Sequence, residues 1–302
     1  MFTSSATRGV TTRVNTRSLI LRRLLAASLA AGFLLSAPSA RAQTATDPAP
    51  APSPTPGTPE SQSPTPPTTD SAPAPAAEVP PPPPGAEEKL SDERKRSQWA
   101  YVGTTVLARE APDPTAKPLK RLTATVPDTE SPELVLLLSQ RTLADGAVWV
   151  EVRLPMRPNN RTGWVPRHSL GSFRTVTKRL VIDRRGFQAS LYDERGRRVW
   201  TAPIGIGGRR WPTPQGRFYI RERLVIPRGR LRKVYGPFAF GTSAHSATLS
   251  GGNWGEGVIG IHGTGSPKLV PGRISHGCVR VRNASIQRLR RLMPLGTPVQ
   301  VR

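Results

Sequence analysis

The chain has 302 residues, of which 34 are proline and only one is cysteine. This length, with so much proline, favours two modest folded domains and a low-complexity segment over one compact fold, and a single cysteine excludes an intrachain disulfide. The 44 lysines and arginines against 20 acidic residues give a net charge of +24, which is typical of nucleic-acid binding, but the N-terminus argues against that partner class.

The N-terminal 42 residues have the pattern of a secretory signal. Five arginines between Arg8 and Arg23 precede an apolar run from Leu24 to Leu35, and Ala40-Arg41-Ala42 supplies small residues for cleavage after Ala42. The apolar run is short for a bilayer span, so an uncleaved membrane anchor is the alternative. No cysteine follows the signal to be lipidated, and we expect export to the periplasm or the extracytoplasmic cell wall.

A segment rich in Pro, Ala, Thr and Ser follows and contains no Lys or Arg from Gln43 to Ala86. It cannot bury enough apolar surface to offset the entropy of ordering, so the sequence predicts a disordered Pro-rich linker over 43–96. The charged residues from Glu87 to Ser97, at its end, suggest a short helix.

Five short apolar runs separated by turn residues predict a small β-barrel over 97–173. They are Tyr101–Leu107, Leu119–Val126, Leu134–Leu138, Val148–Leu154 and Gly163–Val165. The phrases Val148–Arg153 and Gly163–Val165 resemble those of bacterial SH3-like domains, a resemblance that implies binding to wall polymer. Trp149 and Trp164 fit core packing better than a ligand platform.

The remaining residues, 178–302, read as mainly β. Strands are predicted at Lys178–Asp183, Gln188–Tyr192, Arg198–Ile204 and Pro298–Val301, with one helix that Asn283 caps and Pro294 stops. This part carries 24 lysines and arginines against five acidic residues. We expect general attraction to anionic wall polymers, and we interpret the basic cluster at Arg228–Lys233 as surface loop.

The candidate chemistry lies between Ile259 and Val281. Cys278, the only thiol, follows His276 by two residues and His262 by sixteen, and Arg280 follows two residues later. Imidazole and guanidinium neighbours favour the thiolate, which is the nucleophilic form of cysteine. His245 has no motif around it and is interpreted as an ordinary loop residue.

His262 followed by Ser275-His276-Gly277-Cys278-Val279-Arg280, with Thr213-Pro214-Gln215-Gly216 upstream, resembles the L,D-transpeptidases, bacterial enzymes that cross-link peptidoglycan through a cysteine. The resemblance covers 178–302 and implies the β-sandwich of that family with a short C-terminal helix. The Thr213–Gly216 motif itself is a turn, and we interpret it as structural.

The resemblance also implies roles for individual residues. Cys278 is the nucleophile, and His262 is the base, oriented through its other ring nitrogen by the carbonyl of Gly263. His276 shapes the pocket, Ser275 supports the loop, and the N–H groups of Gly277 and Cys278 are natural oxyanion donors. Arg280 would hold a substrate carboxylate, with structural ion pairing as the alternative. Neither a cofactor nor a metal is implied, and carbapenem-type β-lactams are expected inhibitors.

The expected reaction starts from a tetrapeptide peptidoglycan stem, which is cleaved after its diamino acid with release of D-alanine. An amine of a second stem then resolves the thioester and forms a cross-link between two diamino acids. If water replaces the amine, the same site is an L,D-carboxypeptidase. Three rivals remain at this point: a zinc site on His262, His276 and Cys278, a papain-like wall peptidase, and a non-enzymatic wall-binding protein.

Overall fold

A computed structural model describes residues 85–127, 129–249, 251 and 255–302. The predicted signal, 1–42, and most of the predicted linker, 43–96, lie outside these ranges. The described chain forms two β-sheets, one on each side of residue 177. No helix in these ranges is long and apolar enough to span a membrane.

The N-terminal sheet has eight strands, all antiparallel to their partners. They are β1 (Glu87–Lys89), β2 (Ser97–Tyr101), β3 (Val106–Arg109), β4 (Pro118–Leu122), β5 (Leu134–Thr142), β6 (Val148–Arg153), β7 (Thr162–Pro166) and β8 (Arg174–Val176). The order is β4-β3-β7-β6-β5-β2-β8, and β1 pairs with the C-terminal half of β5. Alternate residues such as Val135, Leu137, Val150 and Val152 fill its core.

Three expectations for this half can be compared with the structure. Strand β1 lies where we predicted linker and a short helix, because its backbone pairs with residues 139–141 of β5. The run Tyr101–Leu107 divides into the ends of two strands rather than one. Trp149 and Trp164 are buried, but they alternate along their strands with the core residues Val150 and Val165 and so lie on the opposite face of the sheet from the core. An SH3-like identity for this sheet stays a prediction.

The C-terminal part of the described chain forms a nine-stranded sheet and two α-helices. The strands are β9 (Arg179–Asp183), β10 (Gln188–Tyr192), β11 (Arg198–Gly207), β12 (Gly216–Val225), β13 (Phe238–His245), β14 (Val258–His262), β15 (Gly272–Ser275), β16 (Val279–Val281) and β17 (Pro298–Val301); the helices are α1 (Arg230–Tyr235) and α2 (Asn283–Leu292). The order is β10-β9-β17-β12-β13-β14-β16-β11-β15, and an added β10–β11 pairing closes the sheet on itself.

This closed sheet surrounds the larger hydrophobic core. Phe218, Ile220, Phe240, Ile261 and Val281 point inward from successive strands, and Ile286 and Leu289 of α2 join the same core. The mainly β fold with a short C-terminal helix is therefore confirmed.

Both helices depart from the sequence interpretation. Asn283 is the first residue of α2 and not its cap, since its Oδ1 accepts the N–H of Thr264 at 2.9 Å. Helix α1 occupies the basic cluster that we took for loop. It lies between Gly229 (φ 123°) and Gly236 (φ 67°), and Leu231, Val234 and Tyr235 anchor it in a small apolar cluster with Ile226.

The two sheets meet along β12. Tyr219 Oη donates to the carbonyl of Leu134 at 3.1 Å, and the Arg221 guanidinium pairs with the Glu133 carboxylate at a fully buried position. Arg157 Nε donates to the Ser246 carbonyl at 2.8 Å. The contact between the sheets is therefore specific as well as apolar.

His245 belongs to this contact and is not a loop residue. It ends β13, is buried, and has its Nε2 3.7 Å from a Glu256 carboxylate oxygen. Asn159, in the loop between β6 and β7, bonds both backbone groups of His245: its Oδ1 accepts the N–H at 2.9 Å and its Nδ2 donates to the carbonyl at 2.8 Å.

Candidate active site

Two parallel strands in the middle of the C-terminal sheet carry the candidate residues. In the register of β14 and β16, Ile261 lies opposite Val279 and His262 opposite Arg280. Successive side chains of a strand point to opposite faces, and Ile259, Ile261, Val279 and Val281 fill the core. The same alternation therefore places Gly260, His262, Cys278 and Arg280 together on the outer face.

Gly260 lies between the thiol and the imidazole. Its N–H donates to Cys278 Sγ at 3.4 Å. A Cβ placed on Gly260 would lie 3.9 Å from Cys278 Sγ and 4.0 Å from Cδ2 of His262. The absence of a side chain at this position leaves space between the thiol and the imidazole.

The orientation of His262 matches its predicted role as base. Its Nδ1 lies 2.6 Å from the carbonyl oxygen of Gly263, and because a carbonyl can only accept, Nδ1 carries the proton. Nε2 is then the basic nitrogen; it is buried and makes no hydrogen bond of good geometry among the described residues. The Tyr235 ring packs on the imidazole at 4.9 Å between centroids.

Burial shifts the pKa of both groups in the direction that favours their neutral forms. It lowers the pKa of His262 to about 4, with a further lowering by Arg280 that the carbonyls of Gly263 and Tyr235 partly oppose. Burial also raises the pKa of the Cys278 thiol, against the Gly260 N–H and the Arg280 guanidinium, which both lower it. Arg280 therefore acts in the direction that we expect, toward the thiolate, but burial has the larger effect on the pKa of the thiol.

Ser275 holds the turn that presents Cys278. Its Oγ donates to the Cys278 carbonyl at 2.5 Å and accepts the N–H of Gly277 at 3.1 Å. Gly277 has a φ of 118°, a value that side chains disfavour, which explains glycine at this point. The N–H of Gly277 is already committed to Ser275, which is not what an oxyanion donor requires. The role of the Cys278 N–H stays a prediction.

Thr213 fixes the same turn from the opposite side. Its Oγ1 donates to the Gly277 carbonyl at 2.7 Å and accepts the N–H of Gly207 at 3.0 Å. The structural interpretation of the Thr213–Gly216 motif agrees with these contacts. Sequence reasoning could not have given the Gly277 contact, since 64 positions separate the two residues.

His276 and Arg280 complete the cleft. The His276 ring packs on Trp211, with 4.2 Å between centroids, and burial followed by Arg280 lowers the pKa of His276. This places His276 in the wall of the pocket, consistent with the predicted shaping role. The Arg280 side chain is half-buried, and its Nε has no hydrogen-bond partner in the described ranges. A carboxylate is the ligand that such a guanidinium binds best.

Close backbone packing around Gly263 supports His262. A Cβ on Gly263 would overlap Asn283 Oδ1 and lie 3.0 Å from Gly236 Cα. Asn283, Gly236 and Tyr235 therefore hold the segment that carries the Gly263 carbonyl. No sequence pattern indicates Tyr235 or Trp211 at this site, because both contacts depend on how segments distant in the chain pack beside the sheet.

The zinc alternative would place a second cation beside Arg280. The Arg280 guanidinium is close enough to lower the pKa of both His262 and Cys278, so it would repel a metal ion bound to them. In the part of the chain that the structure describes, no three His, Cys, Asp or Glu side chains are grouped to hold a metal ion.

Comparison with known proteins agrees with the motif. The model of the YkuD family, an L,D-transpeptidase catalytic domain, matches residues 177–301. A putative L,D-transpeptidase YkuD of Bacillus licheniformis is 33% identical over 127 residues, which is 42% of this chain and 67% of that protein. The Bacillus subtilis protein of the same name is 34% identical over 101 residues, covering 33% of this chain and 52% of its own length.

Solved structures are more distant. Bd1075 of Bdellovibrio bacteriovorus is 27% identical with a TM-score of 0.33, over 41% of this chain and 47% of that one. Two solved L,D-transpeptidases, both also with TM-scores of 0.33, hold imipenem and a faropenem-derived adduct. The chain thus spans about half of Bd1075 and two thirds of the first Bacillus relative. The family model, which spans the strands that carry His262 and Cys278, and the B. licheniformis relative together establish that this chain belongs to the L,D-transpeptidase family.

Proposed function

We propose that this chain is an exported peptidoglycan L,D-transpeptidase that joins diamino acid residues of peptide stems through an acyl-enzyme on Cys278. The observation that carries the proposal is the arrangement around Gly260. The thiol and an imidazole with its basic nitrogen unoccupied both lie within about 4 Å of one open position on the sheet face.

Acylation begins from the neutral pair. As Sγ attacks the carbonyl carbon of the diamino acid, Nε2 of His262 takes the thiol proton while Nδ1 remains bonded to Gly263. The tetrahedral intermediate collapses, its C–N bond breaks, and the proton passes from the imidazolium to the departing D-alanine amine. A positioned general base of this kind contributes about 10²- to 10⁴-fold.

Deacylation reverses these roles. The amine of an acceptor stem attacks the thioester carbon, His262 takes its proton, and the C–S bond breaks to restore the thiol. Water in place of the amine gives the carboxypeptidase reaction. Arg280, beside both catalytic groups, supplies the cation for a substrate carboxylate and stabilises negative charge that develops in the cleft.

The region before the catalytic domain serves delivery in this proposal. Residues 1–42 direct export, the Pro-rich linker allows reach through the wall, and the N-terminal sheet, as an SH3-like domain, binds wall polymer. The 24 basic residues of the catalytic part favour association with anionic wall polymers.

Purified muropeptides test the proposal directly. The protein should release D-alanine from tetrapeptide stems and give cross-linked dimers, both visible by mass spectrometry, and a carbapenem should add its mass to Cys278. The variant Cys278→Ser should give none of these products. Monomeric tripeptides as sole products would assign the carboxypeptidase reaction, and activity retained by Cys278→Ser would refute the mechanism.

A further inference from the structure

A buried carboxyl group lies in the same row of the sheet face as the nucleophile. Glu222 pairs with Gly241 in the β12–β13 register, and Gly241 pairs with Gly260 in the β13–β14 register. Gly260 in turn contacts Cys278 Sγ through its N–H. Directly paired residues share a face, so Glu222, the two glycines and Cys278 lie on one side of the sheet.

The Glu222 side chain covers Gly241, and the position in the row between its carboxylate and the thiol is Gly260, which has no side chain. A Cβ on Gly241 would lie 2.7 Å from Oε2 of Glu222, and one on Gly260 would lie 3.9 Å from Cys278 Sγ. Paired positions on neighbouring strands have Cβ atoms about 5 Å apart, so Oε2 and Sγ are at most about 12 Å apart.

The surroundings of Glu222 fix its direction. Thr129 Oγ1, from the N-terminal sheet's side of the contact, donates to Oε1, while Oε2 lies over Gly241 on the side of the thiol. The neighbouring Arg221 is engaged with Glu133 and is fully buried. The glycine row therefore begins at a carboxylate and ends at the nucleophile.

The environment makes this carboxyl receptive to a cation. Burial raises the pKa of Glu222, against the hydrogen bond of Thr129 and the charge of Arg221, which lower it. It is one of only five acidic residues among 24 lysines and arginines in the catalytic part. A positive group arriving beside it would favour its ionised form.

The distance between Glu222 Oε2 and Cys278 Sγ can be spanned by the side chain of a diamino acid. With bonds of about 1.5 Å, an extended lysine-like side chain reaches about 7 Å from its carbonyl carbon to its terminal nitrogen. A thioester bond to Sγ at one end and a hydrogen bond at the other extend that reach to roughly 12 Å. An acyl group on Cys278 can thus lie across Gly260 with its ammonium at Glu222.

We propose that Glu222 is a specificity-determining residue that binds the side-chain ammonium of the diamino acid in the acyl donor, across the row formed by Gly241 and Gly260. This rests on the proposed function, because it assigns the donor's position on the acyl-enzyme. It predicts that the enzyme selects donors with a positive charge at the end of the side chain.

Paired tetrapeptide donors test this assignment. One has lysine before the terminal D-alanine, and the other has norleucine, which keeps the chain but lacks the ammonium. The wild type should acylate faster with lysine, by about 10- to 100-fold in kcat/KM for D-alanine release, as expected for a hydrogen bond to a charged group. Glu222→Gln should reduce this preference to within about 3-fold, mainly by slowing the lysine donor, whereas Glu256→Gln should keep it.

The outcomes separate the two proposals. Equal wild-type rates with both donors, or a full lysine preference in a folded Glu222→Gln, would overturn the role of Glu222 alone. The carbapenem adduct should form equally in wild type and in Glu222→Gln, since that ligand lacks the diamino acid. No acyl-enzyme with either peptide or with the carbapenem would refute the proposed function itself. The wild-type comparison remains decisive if the variant fails to fold.

Discussion

Replacing His262 by glutamine should remove a large part of the loss of stability in acid. His262 is 2% exposed, and its pKa falls from 6.5 to about 4 on folding. Below pH 6.5 the imidazole is protonated in the unfolded chain, whereas in the folded chain it is protonated only below about pH 4. His262 therefore has no effect on the free energy of unfolding above pH 6.5 and lowers it as the pH falls below that value. The full effect is about 3 kcal/mol, most of it reached by about pH 4.5.

Urea unfolding at pH 7.5 and at about pH 4.5 measures this effect. The wild type should lose about 2 to 3 kcal/mol more than His262→Gln between these pH values. His168→Gln, at an exposed histidine, is the matched control and should behave as wild type. Equal acid losses in wild type and His262→Gln would refute the reasoning, because they would mean that the imidazole is protonated in the folded protein.

Three further predictions follow from single contacts. Thr213→Val should lower the free energy of unfolding by about 1 to 3 kcal/mol and slow carbapenem acylation, because the Gly277 carbonyl loses its hydrogen-bond donor. An unchanged acylation rate and melting temperature would contradict this. Glu133→Ala should cost about 3 to 5 kcal/mol in urea unfolding by leaving Arg221 buried and unpaired, unlike Glu110→Ala at an exposed pair. Alkylation of Cys278 should rise with pH only well above neutrality in the free enzyme, since its pKa is raised; rapid alkylation near pH 6 would instead indicate a thiolate.

Much of the fold follows from local patterns. Alternating apolar residues gave Gln188–Tyr192 and Pro298–Val301 with their observed bounds, because those strands bury one face. Helix α1 was missed since its six residues are mostly basic, and its stability comes from packing of Leu231 and Tyr235 rather than from sequence periodicity. Strand β1 could not be predicted from its own residues, because it forms only by pairing with β5, about fifty residues later in the chain.

Some residues of the candidate site can likewise be predicted from local sequence patterns, and others depend on tertiary contacts. Cys278, His262 and Gly263 were predictable because short-range chemistry relates them within one motif. Glu222 was not, since its place in the row depends on a β-bulge between Ile220 and Glu222 and on the register of three strands. The directions in which the pKa values of His262 and Cys278 shift could not be predicted from the sequence either, because they depend on how deeply each side chain is buried.

The ion pair between Arg221 and Glu133 has a practical consequence for dissecting this enzyme. The family match begins at residue 177, which invites expression of the catalytic half alone. Such a fragment would expose the Tyr219 ring and leave the Arg221 guanidinium, otherwise 1% exposed, without its carboxylate. A minimal catalytic fragment of this chain should therefore keep the whole N-terminal sheet and begin near residue 85, where the described structure starts.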